Sequence, residues 1–163
     1  MTSVDKELTT TTPSEREIVW SRAFDAPRQL VFDAWTRSDL IPRWLTPNGW
    51  TMPVCEVDLR PGGHYRYVLR RTDGSAEMTM RGTYHEVAAP GRFVCSQSFE
   101  GFDEVGWRPE DETEITTEFH EQGGQTIWTA RLVYPSQAAR DAVMAMGMEF
   151  ERFDALLAEL QTV

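Results

Sequence analysis

A long succession of strand-like segments joined by tight turns, with no helix between them, constrains this chain most. β-Branched and aromatic residues in alternating patterns mark strands near 50–59, 64–71, 76–88, 92–101, 112–121 and 124–134. Pro61-Gly62-Gly63, Thr72-Asp73-Gly74-Ser75, Ala89-Pro90-Gly91 and Gln122-Gly123-Gly124 punctuate them. Such breaks are too short for the crossover that parallel neighbours require, so these strands pair antiparallel. A doubly wound parallel sheet, which needs alternating strands and helices, does not fit.

The flanking segments supply the helices. Glu17-Ile18-Val19-Trp20-Ser21-Arg22-Ala23-Phe24 reads as a first strand. Asp25-Ala26-Pro27 ends it and opens a helix, with Asp25 as the expected cap and Leu30, Val31, Ala34 and Trp35 at helical spacing. Ser38 or Asp39 is expected to cap a second short helix through Ile41-Pro42-Arg43-Trp44. Neither helix has a basic face and Pro42 lies inside the second, which argues against a DNA-reading helix pair. One amphipathic helix is expected over 136–160, capped by Ser136, with Val143, Met146, Phe150, Phe153, Leu157 and Leu160 in one stripe. The fold class is therefore α+β: a curved antiparallel sheet of about seven strands closed by a long terminal helix.

Composition narrows the partners. The 163 residues fit one domain, placed at 16–163 after a polar, Thr-rich lead-in over 1–15 expected to be disordered. A formal charge of -10 works against general binding to nucleic acid or to anionic membrane. No apolar run approaches the roughly 20 residues that span a bilayer. No secretory signal is recognisable, so a cytoplasmic location is expected. Cys55 and Cys95 lie in separate strands without metal-ligand spacing and are expected as free thiols. The acid-rich segment 101–112, containing Trp107, reads as a solvated loop at the sheet rim with a lid role.

The order of motifs resembles the START-like (SRPBCC) superfamily. More narrowly, it is similar to bacterial proteins related to the C-terminal domain of the activator of the heat-shock-protein-90 ATPase. The likeness rests on Arg22-Ala23-Phe24-Asp25-Ala26-Pro27 with Val31-Phe32-Asp33-Ala34-Trp35-Thr36, on Leu40-Ile41-Pro42-Arg43-Trp44, and on Asp58-Leu59-Arg60-Pro61-Gly62-Gly63. It continues through Gly82-Thr83-Tyr84-His85-Glu86-Val87, Pro90 and Arg92, and Gly147-Met148 with Phe153-Asp154. The resemblance implies a helix-grip fold and a small hydrophobic or amphipathic molecule held in its cavity. It carries over no residues for regulating a chaperone.

If the sheet is curved, alternate side chains face the helix. That parity places Tyr65, Tyr67, Leu69, Met78, Met80, Gly82, Tyr84, Phe93, Cys95, Gln97, Phe99, Trp128, Ala130, Leu132 and Tyr134 inward. The ligand-binding set expected from these and the helices is Trp44, Trp50, Tyr67, Met80, Tyr84, Phe99, Trp128, Met144 and Phe150. Gly82 and Gly147 are expected to serve close packing in one case and retained volume in the other. Catalysis is the alternative: a cofactor-independent cyclase or dehydratase on a polyketide-type substrate, with Glu56, Asp58 or Tyr84 as acid or base. A third is a protein-interaction or co-chaperone-like regulatory module. No metal or cofactor is expected, since His64, His85 and His120 fall on separate strands and no phosphate loop, dinucleotide fingerprint or nucleophile elbow is present. The expected assembly is a monomer or homodimer.

Overall fold

The computed structural model describes residues 6–101, 108 and 110–162. Its sheet has eight antiparallel strands: β1 (Thr9–Thr11), β2 (Glu17–Phe24), β3 (Trp50–Val57), β4 (His64–Arg71), β5 (Glu77–Ala88), β6 (Arg92–Glu100), β7 (Thr113–Gln122) and β8 (Gln125–Val133). Their spatial order is β1-β2-β8-β7-β6-β5-β4-β3. Consecutive strands from β3 to β8 are neighbours, joined by short connections except for the segment 101–112 between β6 and β7. β2 closes onto β8, pairing Trp20 with Ala130 and Arg22 with Trp128. The additional strand, β1, lies within the segment read as a disordered lead-in: Thr9, Thr10 and Thr11 pair with Ser21, Trp20 and Val19. Residue 107 and most of the acid-rich loop lie outside the described residues.

Helices α1 (Arg28–Thr36) and α2 (Ile41–Leu45) follow β2 at the expected places, but not with the expected caps. Pro27 occupies the cap position of α1, and Asp25 instead accepts from Lys6 at 2.7 Å and Gln125 at 2.9 Å. Leu40 precedes α2, and Asp39 pairs with Arg37. Neither helix has a side-chain cap: Pro27 fills the cap position of α1 and has none to offer, and Pro42 pre-sets a helical φ in the first turn of α2.

The terminal segment departs most from expectation. It is two helices, α3 (Gln137–Met146) and α4 (Glu151–Gln161). Ser136 does cap α3, its side chain accepting from the Ala139 amide at 3.1 Å. Gly147 then adopts φ +71 and ψ -177, a backbone region that essentially only glycine enters, and the helix stops. An apolar stripe at steps of three and four crosses the break because both halves need an inward face.

The two halves pack differently. Helix α4 buries Phe153, Leu156 and Leu157 against α1 and α2. Fully burying such side chains contributes about 1.5–3 kcal/mol each. Phe153 meets Trp44 edge-on at 4.7 Å and Phe24 at 4.8 Å. Arg22 holds Asp154 through two hydrogen bonds of 2.8 and 2.6 Å while its guanidinium lies over the rings of Phe24 and Phe150. Helix α3 buries only Ala139.

The two glycines have different duties. A Cβ at Gly82 would collide with the Ser96 carbonyl and come within 2.6 Å of the Tyr65 hydroxyl. A Cβ at Gly147 would meet nothing within 4 Å. Gly82 thus serves close packing, while Gly147 serves backbone conformation beside open space. We expect Gly82→Ala to lose about 2–3 kcal/mol in urea unfolding through overpacking. Gly147→Ala should lose about 1–2 kcal/mol through backbone strain alone. Equal, negligible losses at both positions would contradict this assignment.

Candidate functional site

The sheet's inner face and the helices enclose a cavity of about 360 Å³. Its floor follows strand alternation: Met78, Met80 and Tyr84 from β5, then Phe93, Cys95, Gln97 and Phe99 from β6. Trp128, Ala130 and Leu132 from β8, with Tyr134 just beyond, continue the same face. Tyr65 and Tyr67 of β4 form one wall, and Trp20, Ile115 and Thr117 complete the floor. The roof comes from Trp35 of α1, from Ile41, Trp44 and Leu45 of α2, and from Val143 and Met146 of α3, followed by Gly147 and Met148. Helix α4 contributes none of these lining residues. Met146 lines the cavity and is 57% exposed, so the space reaches solvent at the end of α3.

Of the nine residues expected to contact a ligand, six line the cavity: Trp44, Tyr67, Met80, Tyr84, Phe99 and Trp128. Trp44 is fixed there because its indole N–H donates to the Ala34 carbonyl at 2.7 Å, tying α2 to α1. The other three lie elsewhere. Trp50 stands at the start of β3 under the Arg71 guanidinium, 5.3 Å from the ring centroid. Met144 points away from the cavity at 40% exposure, one residue from the inward Val143. Phe150 is buried in the α4 plug, 5.2 Å from both Phe24 and Trp128. The break at Gly147 explains this last difference, since it takes Phe150 out of register with α3.

Trp20, Trp35, Ile115 and Thr117 escaped sequence reasoning. Alternation along Thr113-Glu114-Ile115-Thr116-Thr117 pairs Ile115 and Thr117 on one face, a signal present but weakened by its threonines. Trp35 stacks on Trp128 at 5.1 Å with planes 13° apart, and both indole N–H groups are buried without an acceptor.

The Asp58 turn sets the position of Tyr84. Asp58 holds the Arg60 guanidinium at 2.9 Å, and Gly63 N–H donates to the Arg60 carbonyl. The turn then bonds to β5: Gly62 N–H donates to the Tyr84 carbonyl and Tyr84 N–H to the Gly63 carbonyl, at 2.7 and 2.8 Å. Beyond Tyr84 the β5–β6 ladder shifts register. That bulge re-aims the strand, so His85 is exposed while Val87 packs on the core.

Among the expected acid–base candidates, only Tyr84 faces the cavity. Glu56 pairs with Arg66 on the outer face, and Asp58 is exposed with Arg60. Among the described residues, no Asp, Glu, Lys, Arg or His lines the cavity, and no group of three or more His, Cys, Asp or Glu could hold a metal ion. Cys55 and Cys95 stand on β3 and β6, with β4 and β5 between them and four residues out of register. Both are free thiols, and burial pushes them up to about 11 and about 12.

These observations accompany a family assignment. The family model described as "Activator of Hsp90 ATPase homolog 1-like protein" matches residues 25–163. The chain belongs to this family. Its fold is that of the START-like (SRPBCC) helix-grip proteins, with one more strand than expected and a divided terminal helix. A crystal structure from Rhodobacter sphaeroides is 26% identical with a TM-score of 0.82, covering 94% of this chain and 99% of that one. One from Nitrosomonas europaea is 22% identical with a TM-score of 0.76, covering 93% and 100%. The solution structure of an AHSA1-like protein from Aeromonas hydrophila is 23% identical with a TM-score of 0.66, covering 89% and 96%. No curated protein sequence matches the chain. No helix among the described residues is long and apolar enough to cross a membrane.

Burial raises all four tyrosines of the protein, Tyr65, Tyr67, Tyr84 and Tyr134, above their ordinary value of 10.0. The folded state therefore holds phenolic protons more tightly than the unfolded state. This stabilisation is complete below about pH 10 and is lost as pH rises toward the folded values. In an alkaline titration, tyrosinate absorbance should appear together with loss of the near-ultraviolet circular dichroism. Ionisation of several tyrosines in a chain that keeps its tertiary signal would contradict the burial described here.

Proposed function

We propose that the protein binds a small, uncharged and largely apolar molecule, with aromatic rings, in the cavity between the sheet and helices α1, α2 and α3. The observation that carries this reading is a void of about 360 Å³ whose described lining is charge-free and rich in aromatic and methionine side chains. Ligand cavities commonly fall between about 300 and 1,000 Å³ and combine apolar walls with few polar groups. A filled core would leave no such volume, because interiors are close-packed. Methionines at 78, 80, 146 and 148 give the walls flexible, polarizable side chains that can accommodate different shapes.

An acid–base reaction has less support. The lining offers tyrosine hydroxyls and one thiol, all held protonated at neutral pH by burial, and a neutral phenol donates a hydrogen bond without abstracting a proton.

Four of the protein's six tryptophans line the cavity, so occupancy should be visible in their fluorescence. A ligand held at about 100 times its Kd should add about 2.7 kcal/mol of stability. For a domain of this size that raises Tm by roughly 5–10 °C. Ala130→Phe, which fills the floor, should remove both the shift and the quenching while the variant stays folded. The reading fails if a chemically broad set of neutral aromatic compounds moves neither signal in the wild-type protein.

A further inference from the structure

The one amide side chain among the described cavity residues interrupts an otherwise largely apolar wall. Gln97 sits mid-way along β6 on the inner face, between Cys95 and Phe99. Its cross-strand neighbours are Gly82 on β5 and Thr113 on β7. Gly82 offers no side chain. The Tyr65 hydroxyl, which overlies Gly82, already donates to the Ser96 carbonyl at 2.9 Å. Gln97 is half-buried, and its amide, which has no hydrogen-bond partner among the described residues, opens onto the void. Thr113 is 1% exposed, and its hydroxyl is likewise unpartnered.

A glutamine carries two donors and one acceptor. Even if it turns to Thr113, that hydroxyl occupies only part of this capacity, and the remainder faces the void. Thr117, 3% exposed, presents to the cavity a hydroxyl with no partner among the described residues. An amide with free valences facing an otherwise apolar cavity favours a ligand that replaces water there with a hydrogen bond of its own.

We propose that Gln97 is the polar anchor of the cavity, receiving a hydroxyl or carbonyl on an otherwise apolar, neutral, ring-bearing ligand. The proposal rests on the binding function above and specifies its ligand. The size fits: an engineered cavity of about 150 Å³ accepts benzene, and this one has room for fused rings. The charge fits as well, because the described lining holds no cation to neutralise a carboxylate or phosphate and no anion to receive an amine.

Naphthalene, 2-naphthol and 2-naphthoate separate these requirements when titrated at neutral pH against tryptophan fluorescence, with calorimetry as a check. Gln97→Met replaces the amide by an apolar chain of similar length. It should lower the preference for 2-naphthol over naphthalene by about fivefold, the effect of one modest hydrogen bond. Naphthalene affinity should remain within about twofold, and Tm should hold or rise. Gln97→Leu provides a second variant should the first fold poorly. 2-Naphthoate should bind the wild-type protein at least about tenfold more weakly than 2-naphthol. An unchanged naphthol-to-naphthalene ratio in folded variants overturns the anchor and leaves the binding function standing. Tightest binding by 2-naphthoate overturns the neutral-ligand assignment. If none of the three binds wild-type protein, the anchor as assigned to a fused-ring ligand fails, and the binding function falls only if the broader aromatic set also fails.

Discussion

The left-handed backbone at Gly147 divides labour within the last quarter of the chain. A continuous helix would carry one apolar face across the sheet and place Phe150 in line with Val143 and Met146. The break lets α4 turn away and wedge Phe150 and Phe153 among Phe24, Trp35, Trp44 and Trp128, where aromatic rings pack edge to face. Arg22 secures that wedge through a bidentate contact with Asp154 in a partly buried setting. Relieved of that task, α3 rests lightly over the other part of the sheet with only Ala139 buried. The same segment thus seals one end of the curved layer and roofs the other without filling it.

The hollow also depends on how the floor is held. Tyr65 needs the bare backbone of Gly82 beneath it, and the bond to the Ser96 carbonyl fixes its hydroxyl. Tyr84 is placed by the Asp58 turn through two main-chain bonds. Tyr65 and Tyr84 stand 5.2 Å apart between ring centroids, and Tyr65 and Tyr67 5.3 Å. Side chains braced in this way do not collapse easily into the space beside them, because inward movement would break main-chain or hydroxyl hydrogen bonds. The flexible members of the lining, the methionines, stand farther along β5 and at the α3 mouth.

Much of this was legible in the sequence, and the failures lie where the local pattern breaks or falls silent. The six strands from Trp50 to Val133 follow from turn chemistry and period-two alternation, which are local. Inward parity on β4, β5, β6 and β8 places Tyr67, Met80, Tyr84, Phe99 and Trp128 in the wall for the same reason. Helix periodicity, by contrast, cannot distinguish one long helix from two that face one core, and Gly147 alone carried the difference. Phe150 was misplaced as a result, whereas Met144, next to the inward Val143, lies off the apolar stripe within α3 itself. Trp50 depends on how β3 enters the sheet, through an irregularity between Thr51 and Val54 that no pattern announces. The short β1 strand was equally hidden, since three exposed threonines carry no apolar signal.

Charge is sorted by face with the same consistency. Arg66, Arg70, Arg81 and Arg92 alternate outward and meet Glu56, Glu77, Glu100, Glu86 and Glu118 on neighbouring strands. Exposed pairs of this kind add little stability individually. Their larger consequence is for the opposite face: each outward charge in a strand fixes the parity of its neighbours, and a slip by one residue would bury several unpaired charges. The register that keeps the cavity charge-free is therefore enforced from the solvent side. Pro53 and the irregularity in β3 interrupt one outer edge and β1 is short at the other, so neither edge offers a long regular ladder for another chain to extend. The unpaired polar groups of the wall thus face inward: the Trp35 and Trp128 indole N–H groups and the Gln97 amide.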